Sequence, residues 1–158
     1  MAWRIDSGIR SQLKNAGQKF QRRGRPARAA QSQDREHLAL IRQLPCLISG
    51  QAVRVQAAHI RYANAEFSKP ITGGSTKPDD KWTVPLSAWF HTLSSDSQHE
   101  HGEEGWWMAR GINPLIVASQ LYASSSALRS AKLPAEDIVR VLTQIVLVAR
   151  KEGHLDEP

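Results

Sequence analysis

Residues 1–33 carry no sustained apolar periodicity, so whatever this chain folds into must be built from residue 34 onward. The run RRGRPARAAQSQ mixes Arg, Gly, Ala, Ser and Gln without helical or strand rhythm, a composition that buries too little apolar surface to order itself. A short helix over residues 9–20 is the one local exception the sequence allows. Residues 34–158 remain, with the apolar content for one small core.

Charge divides the chain at the same place. The formal charge is +6, from 21 Lys and Arg against 15 Asp and Glu. Residues 1–35 hold nine of the basic groups (Arg4, Arg10, Lys14, Lys19, Arg22, Arg23, Arg25, Arg28 and Arg35) and only Asp6 and Asp34 against them. The other 123 residues hold 12 basic and 13 acidic groups, a net of −1. A basic, flexible N-terminal arm on a near-neutral body is a common way to hold a phosphate backbone without reading sequence. Such an arm would make Arg22, Arg23, Arg25 and Arg28 nucleic-acid-binding residues.

Other classes are set aside quickly. No apolar run approaches the ~18 residues of a membrane span, so no membrane partner is expected. The start, MAWRIDSGIR, lacks the apolar core of a secretory signal. The single cysteine, Cys46, has no partner for an intrachain disulfide, and a reducing, cytoplasmic location is expected.

Order is expected to begin at Asp34, which reads as the N-cap of an amphipathic helix carrying Leu38, Leu40, Ile41 and Leu44 and ended by Pro45. Residues 46–50 (CLISG) read as a short strand closing on a glycine. Residues 53–60 (VRVQAAHI) have strand spacing and end near His59. A polar loop over 62–80 leads to a second strand over 82–86 (WTVPL), and Ser87 then opens a helical turn. Residues 103–110 read as a helix stopped by Gly111, and Asn113-Pro114 opens another over 115–122. The segment ASSSALRSA reads as a connection. Residues 134–151 form the clearest helix, with acids at its start, Arg150 and Lys151 at its end, and a wide apolar face. That face either docks on the core or is buried against a partner, which would make a homo-oligomer through this helix.

Of six histidines, three are placed for chemistry. His59 ends the first strand, His91 follows the second strand, and His99 lies eight residues further on, with Asp79 and Asp80 just before the second strand. Hydrolysis of a phosphodiester needs a base of near-neutral pKa to deprotonate water, which imidazole provides. It also needs a divalent cation to offset charge on the phosphate and the leaving oxygen. Against this, a histidine at a strand end is more often a structural hydrogen-bonded residue, and an eight-residue gap is not the usual i, i+4 ligand pair.

The order of residues nonetheless resembles a known family. The run HLALIRQLPC at 37–46, Ala58-His59-Ile60-Arg61, Gly73-Gly74, Lys77-Pro78-Asp79-Asp80-Lys81-Trp82 and Val84-Pro85-Leu86 resembles the small phage and prophage HNH endonucleases. Gln98-His99, Gly102-Glu103, Trp106-Trp107 and Gly111-Ile112-Asn113-Pro114-Leu115 continue the likeness, which covers about residues 34–123. These are ββα-metal (His-Me finger) nucleases, similar to the recombination-associated Ref nuclease family.

The resemblance implies an α+β fold with a ββα-metal (HNH) core over 34–123, flanking helices, the basic arm over 1–33, and a C-terminal helical segment over 124–158. It implies a divalent-metal-dependent DNA endonuclease with phage-type roles in recombination or DNA processing. A recombination protein would be a possible partner beside DNA. His59 matches the general base. His91 and His99 match the ligands of a catalytic Mg, Mn, Ni or Zn ion. Asp80 falls where such sites orient the base or assist the metal, with Asp79 as the competing metal-side choice. Arg61 and Lys77 are candidates for the scissile phosphate.

Two departures matter. Relatives often carry four Cys or His ligands for a structural zinc. Here the positions read Cys46, Ser49, Ser87 and Phe90, so no structural zinc is expected, and Leu47, Ile48, Trp82, Trp89 and Phe90 should fill the space by packing. Where many HNH sites carry a ligand just before the base, this chain has Ala58. The metal then takes a third ligand from Asp79 or Asp80, or is weakly held. The alternative function is therefore a catalytically degenerate HNH-fold protein that binds DNA or assists recombination.

Overall fold

The fold, obtained as a computed structural model, describes residues 33–72, 77–100 and 102–153. It is α+β, and the described residues belong to one compact unit. Helix α1 (Arg35–Ile41) precedes a two-stranded antiparallel sheet of β1 (Val55–His59) and β2 (Thr83–Ser87). A π-helical turn (Trp89–Leu93) and the helices α2 (Glu103–Met108), α3 (Pro114–Ser130) and α4 (Ala135–Glu152) complete the order. Among the described residues no helix is long and apolar enough to cross a membrane. The arm residues Arg22, Arg23, Arg25 and Arg28, and the expected helix over 9–20, lie outside the described residues.

Local sequence explains most boundaries. The Asp34 carboxylate accepts from the His37 backbone N–H, the N-cap bond that starts α1. The Asn113 side chain accepts from the N–H groups of Leu115 and Ile116, and Pro114 occupies the first turn of α3. Gly111 ends the turn after α2 with φ +64, a conformation that costs a side-chain-bearing residue.

The strands pair from Val55 opposite Ser87 to His59 opposite Thr83. Pro85 has no N–H to give, which a central strand would not tolerate. Its carbonyl instead accepts from Leu47 N–H at 2.8 Å, which ties the 46–50 segment to the outer side of β2. That segment is a turn rather than the expected strand. Cys46 carbonyl accepts from Gly50 N–H, and Cys46 N–H donates to Gln51 carbonyl, so its backbone groups close on themselves. Gly50 sits at φ +72 under the Arg150 guanidinium.

The expected connection ASSSALRSA is helical, because α3 runs without interruption to Ser130. Serine is a weak helix former when its hydroxyl competes for the backbone. Here Ser125 and Ser130 donate back to the carbonyls of Tyr122 and Ser126, and the helix continues. The 123/124 boundary therefore falls inside α3.

Helix α4 docks on the core of its own chain. Ile138, Leu142, Val146 and Ala149 are buried, and Arg150 donates to the carbonyls of Leu47 and Ile48. The core joins α1, the sheet, Trp82, Trp106, Trp107, α3 and α4. One of the residues expected to fill this region by packing does not. Trp89 is 60% exposed at the start of the π-helical turn, whereas Phe90 and Ile48, both half-buried, pack against the core. Leu47 and Trp82 do pack in the core. Cys46 is buried, and hydrogen bonds from Ser49 and from backbone N–H groups outweigh burial and lower its pKa.

Candidate active site

His59 stands at the end of β1, where pairing with Thr83 fixes its backbone. The imidazole Nε2 lies 2.9 Å from Asp80 Oδ1. Asp80 is 2% exposed and is engaged on both oxygens. Asp34 N–H donates to Oδ2 at 2.8 Å, and Lys77 Nζ lies 3.2 Å from Oδ1. Burial alone would raise the Asp80 pKa. The hydrogen bonds from Asp34, His59 and Lys77, with the lysine charge, hold it below the ordinary value.

Asp80 is thus an acceptor, and Nε2 of His59 is the nitrogen that carries hydrogen. In the neutral ring the Nδ1 lone pair is then open, and Nδ1 makes no hydrogen bond among the described residues. Burial lowers the His59 pKa, Asp80 partly offsets this, and the charges of Lys77 and Arg61 lower it again. The net shift favours the neutral ring, the form in which an imidazole can accept a proton.

The support behind this pair has no signature in the sequence. Asp34 both caps α1 and holds Asp80, and its carboxylate is gripped by Arg129 of α3 at 2.6 and 3.0 Å. On the other side, Gln98 donates to the His59 carbonyl at 3.3 Å and to Glu103, whose carboxylate also accepts from Arg61 N–H at 2.9 Å. The N-cap signal at Asp34 is visible in the sequence, but its second bond to Asp80 joins residues 46 apart.

The second half of the site is the histidine pair. His91 lies in the π-helical turn, a geometry found often at functional sites. Its ring centroid is 4.9 Å from that of His99. His91 Nδ1 lies 2.6 Å from Gln56 Oε1, an oxygen that can only accept, so Nδ1 carries the hydrogen and Nε2 presents its lone pair. Burial, His99, Arg61 and His59 push the His91 pKa down to about 4. Burial and Arg61 lower His99 as well. Arg61 thus acts on all three imidazoles, His91 is lowered further by His99 and His59, and each ring is shifted toward its neutral form.

Imidazole nitrogens suit zinc and nickel, while magnesium and manganese prefer oxygen ligands. Two neutral histidines beside one another, one oriented from behind by Gln56, fit a divalent ion that keeps most positions for oxygen donors. Asp79 does not complete a three-ligand set. Among the described residues no three His, Cys, Asp or Glu side chains converge for a metal. Asp79 is half-buried and its charge acts on the buried Lys69, while Ala58 contributes only a buried methyl to the core. The structure therefore brings together His59, Asp80 and Lys77 in one cluster and His91 with His99 in another, and no three-ligand group, with or without Asp79, forms among the described residues.

No protein-family model, no curated protein and no solved structure matches this chain.

Proposed function

We propose that this chain is a divalent-metal-dependent endonuclease of the ββα-metal (HNH) type that hydrolyses phosphodiesters of DNA. The observation that carries the reading is the pair of tethered imidazoles, His59 Nε2 at 2.9 Å from Asp80 and His91 Nδ1 at 2.6 Å from Gln56, the latter beside His99. His59 is tethered through Nε2 with Nδ1 open, and His91 is tethered through Nδ1 with Nε2 open beside His99. One half is arranged to take a proton and the other to hold a cation.

In this reading His59 Nδ1 accepts a proton from water as the water oxygen bonds to phosphorus and the P–O ester bond breaks. Asp80 stabilises the imidazolium that forms, and the leaving oxygen is protonated from solvent. Arg61 offsets charge on the phosphate oxygens. A divalent ion on His91 and His99 would supply further neutralisation at the phosphate and the leaving oxygen. Roles in phage or prophage recombination, and a recombination partner, rest on the family resemblance.

A second reading, a DNA-binding descendant that no longer cuts, is favoured by the lack of a third converging ligand among the described residues. Incubation of supercoiled plasmid with the protein and Mg, Mn, Ni or Zn separates the two. Nicking that stops with chelator, and falls ~100-fold or more in His59→Ala, supports the enzyme. Plasmid retardation without nicking under any ion supports the binder.

A further inference from the structure

Asp80 lines a second feature on the side of α1. Helix α1 turns Leu38, Leu40 and Ile41 into the core and leaves Arg35 and Arg42 exposed. Between this face and Lys77 lies a cleft of about 410 Å³ lined by Gln33, Arg35, Leu38, Arg42, Lys77 and Asp80.

The charge balance of the cleft is one-sided. Arg35 and Arg42 join no ion pair among the described residues. Glu36, the acid on the same helix, is turned to Arg129. Asp80 is the only acid lining the cleft among the described residues, and it is already engaged by Lys77, His59 and the Asp34 N–H. Among the described residues, two exposed guanidiniums are thus left without a counter-charge there. They lie two helical turns apart on one exposed face, ~10 Å along the axis. Gln33, on the cleft edge, is also where the N-terminal sequence with eight basic residues in positions 1–32 joins the described fold.

We propose that this cleft is a phosphate-backbone track for DNA, with Arg35 and Arg42 holding phosphates of the strand that enters the site past Lys77. The inference rests on the nuclease reading for its ligand. Neither arginine is a candidate on sequence grounds. Their role is electrostatic and independent of base sequence.

The test is the salt dependence of binding of the full chain to a fluorescent random-sequence DNA duplex of about 20 base pairs, in chelator, between about 50 and 200 mM KCl. The double variant Arg35→Gln, Arg42→Gln should bind about tenfold more weakly near 100 mM and flatten the slope of log affinity against log salt by about two. Arg35→Lys with Arg42→Lys keeps both charges and should keep the slope. Arg140→Gln, which alters an exposed arginine paired with Asp137 on α4, should change nothing.

An unchanged slope in the Gln variant, an equal loss in Arg140→Gln, or the same dependence for RNA with no DNA binding overturns the proposal. Plasmid nicking measured alongside keeps the two readings apart. A flattened slope without nicking retains the track and removes the enzyme. Nicking with an unchanged slope does the reverse.

Discussion

His59 and His91 each have one tethered ring nitrogen and one open one, yet the two tethers are built differently. Behind His59 stands the nearly buried Asp80, held by the backbone of Asp34, which α1 and Arg129 of α3 fix in turn. Behind His91 stands a single exposed residue, Gln56, and its neighbour His99 is exposed as well. The half proposed to handle the proton is tied into the folded core. The half proposed to hold the cation is a rim feature with little support of its own. The difference matches the proposed roles. A base must be oriented before the reaction, whereas two ligands can be drawn into place by the ion they bind.

The largest break in this contrast should come from Asp80→Ala. It strands the Asp34 N–H and the His59 Nε2–H at once and leaves the Lys77 ammonium to solvent. Nicking should fall ~100-fold or more, and stability by about 2–3 kcal/mol, read by single-turnover cleavage and urea titration. An equal loss from His99→Ala in the urea titration would erase the distinction between the halves.

Acid should act on the core next. Burial pushes the His37 pKa down to about 4 from 6.5, with Asp34 partly opposing, and the ring is 0% exposed between the hydroxyls of Ser125 and Thr83. Between those two values the unfolded chain binds more protons than the folded one. Stability is therefore full above pH 6.5 and lost as pH falls toward 4, by up to ~3 kcal/mol for this group. Denaturant midpoints measured across that window should fall with pH, and His37→Gln should flatten the trend.

On the rim, Gln56→Ala should leave stability within ~0.5 kcal/mol and weaken metal binding about 10- to 100-fold, because His91 loses what fixes its tautomer. Arg129→Ala should have the smallest effect. About 1 kcal/mol of stability is expected, since the ion pair with Asp34 is partly solvated. The acid limb of the pH–rate profile should shift with it as Asp80 loses its support. A stability loss with an unmoved profile would make Arg129 purely structural.

The sequence carries the α+β class, the cap at Asp34, both strands and helix α4, because each has a local signal in spacing or capping chemistry. It does not carry the 46–50 turn, whose apolar residues imitate a strand, or the second half of α3, whose serines imitate a loop. The histidines stand out because imidazole chemistry is rare enough to notice. Their tethers do not, because Gln56, Gln98 and Arg129 are ordinary polar residues whose value comes from partners 35, 39 and 95 positions away. Arg35 counts toward the N-terminal excess of charge, yet it is the first residue of α1.

The most direct test of the division of labour is a calorimetric titration of nickel into the wild type, His59→Ala and the double variant His91→Ala, His99→Ala, with nicking rates from the same samples. The expected result is that His59→Ala binds nickel as the wild type does and cuts nothing, while the double variant loses both. Nickel binding that survives loss of His91 and His99, or that disappears with His59, would contradict it.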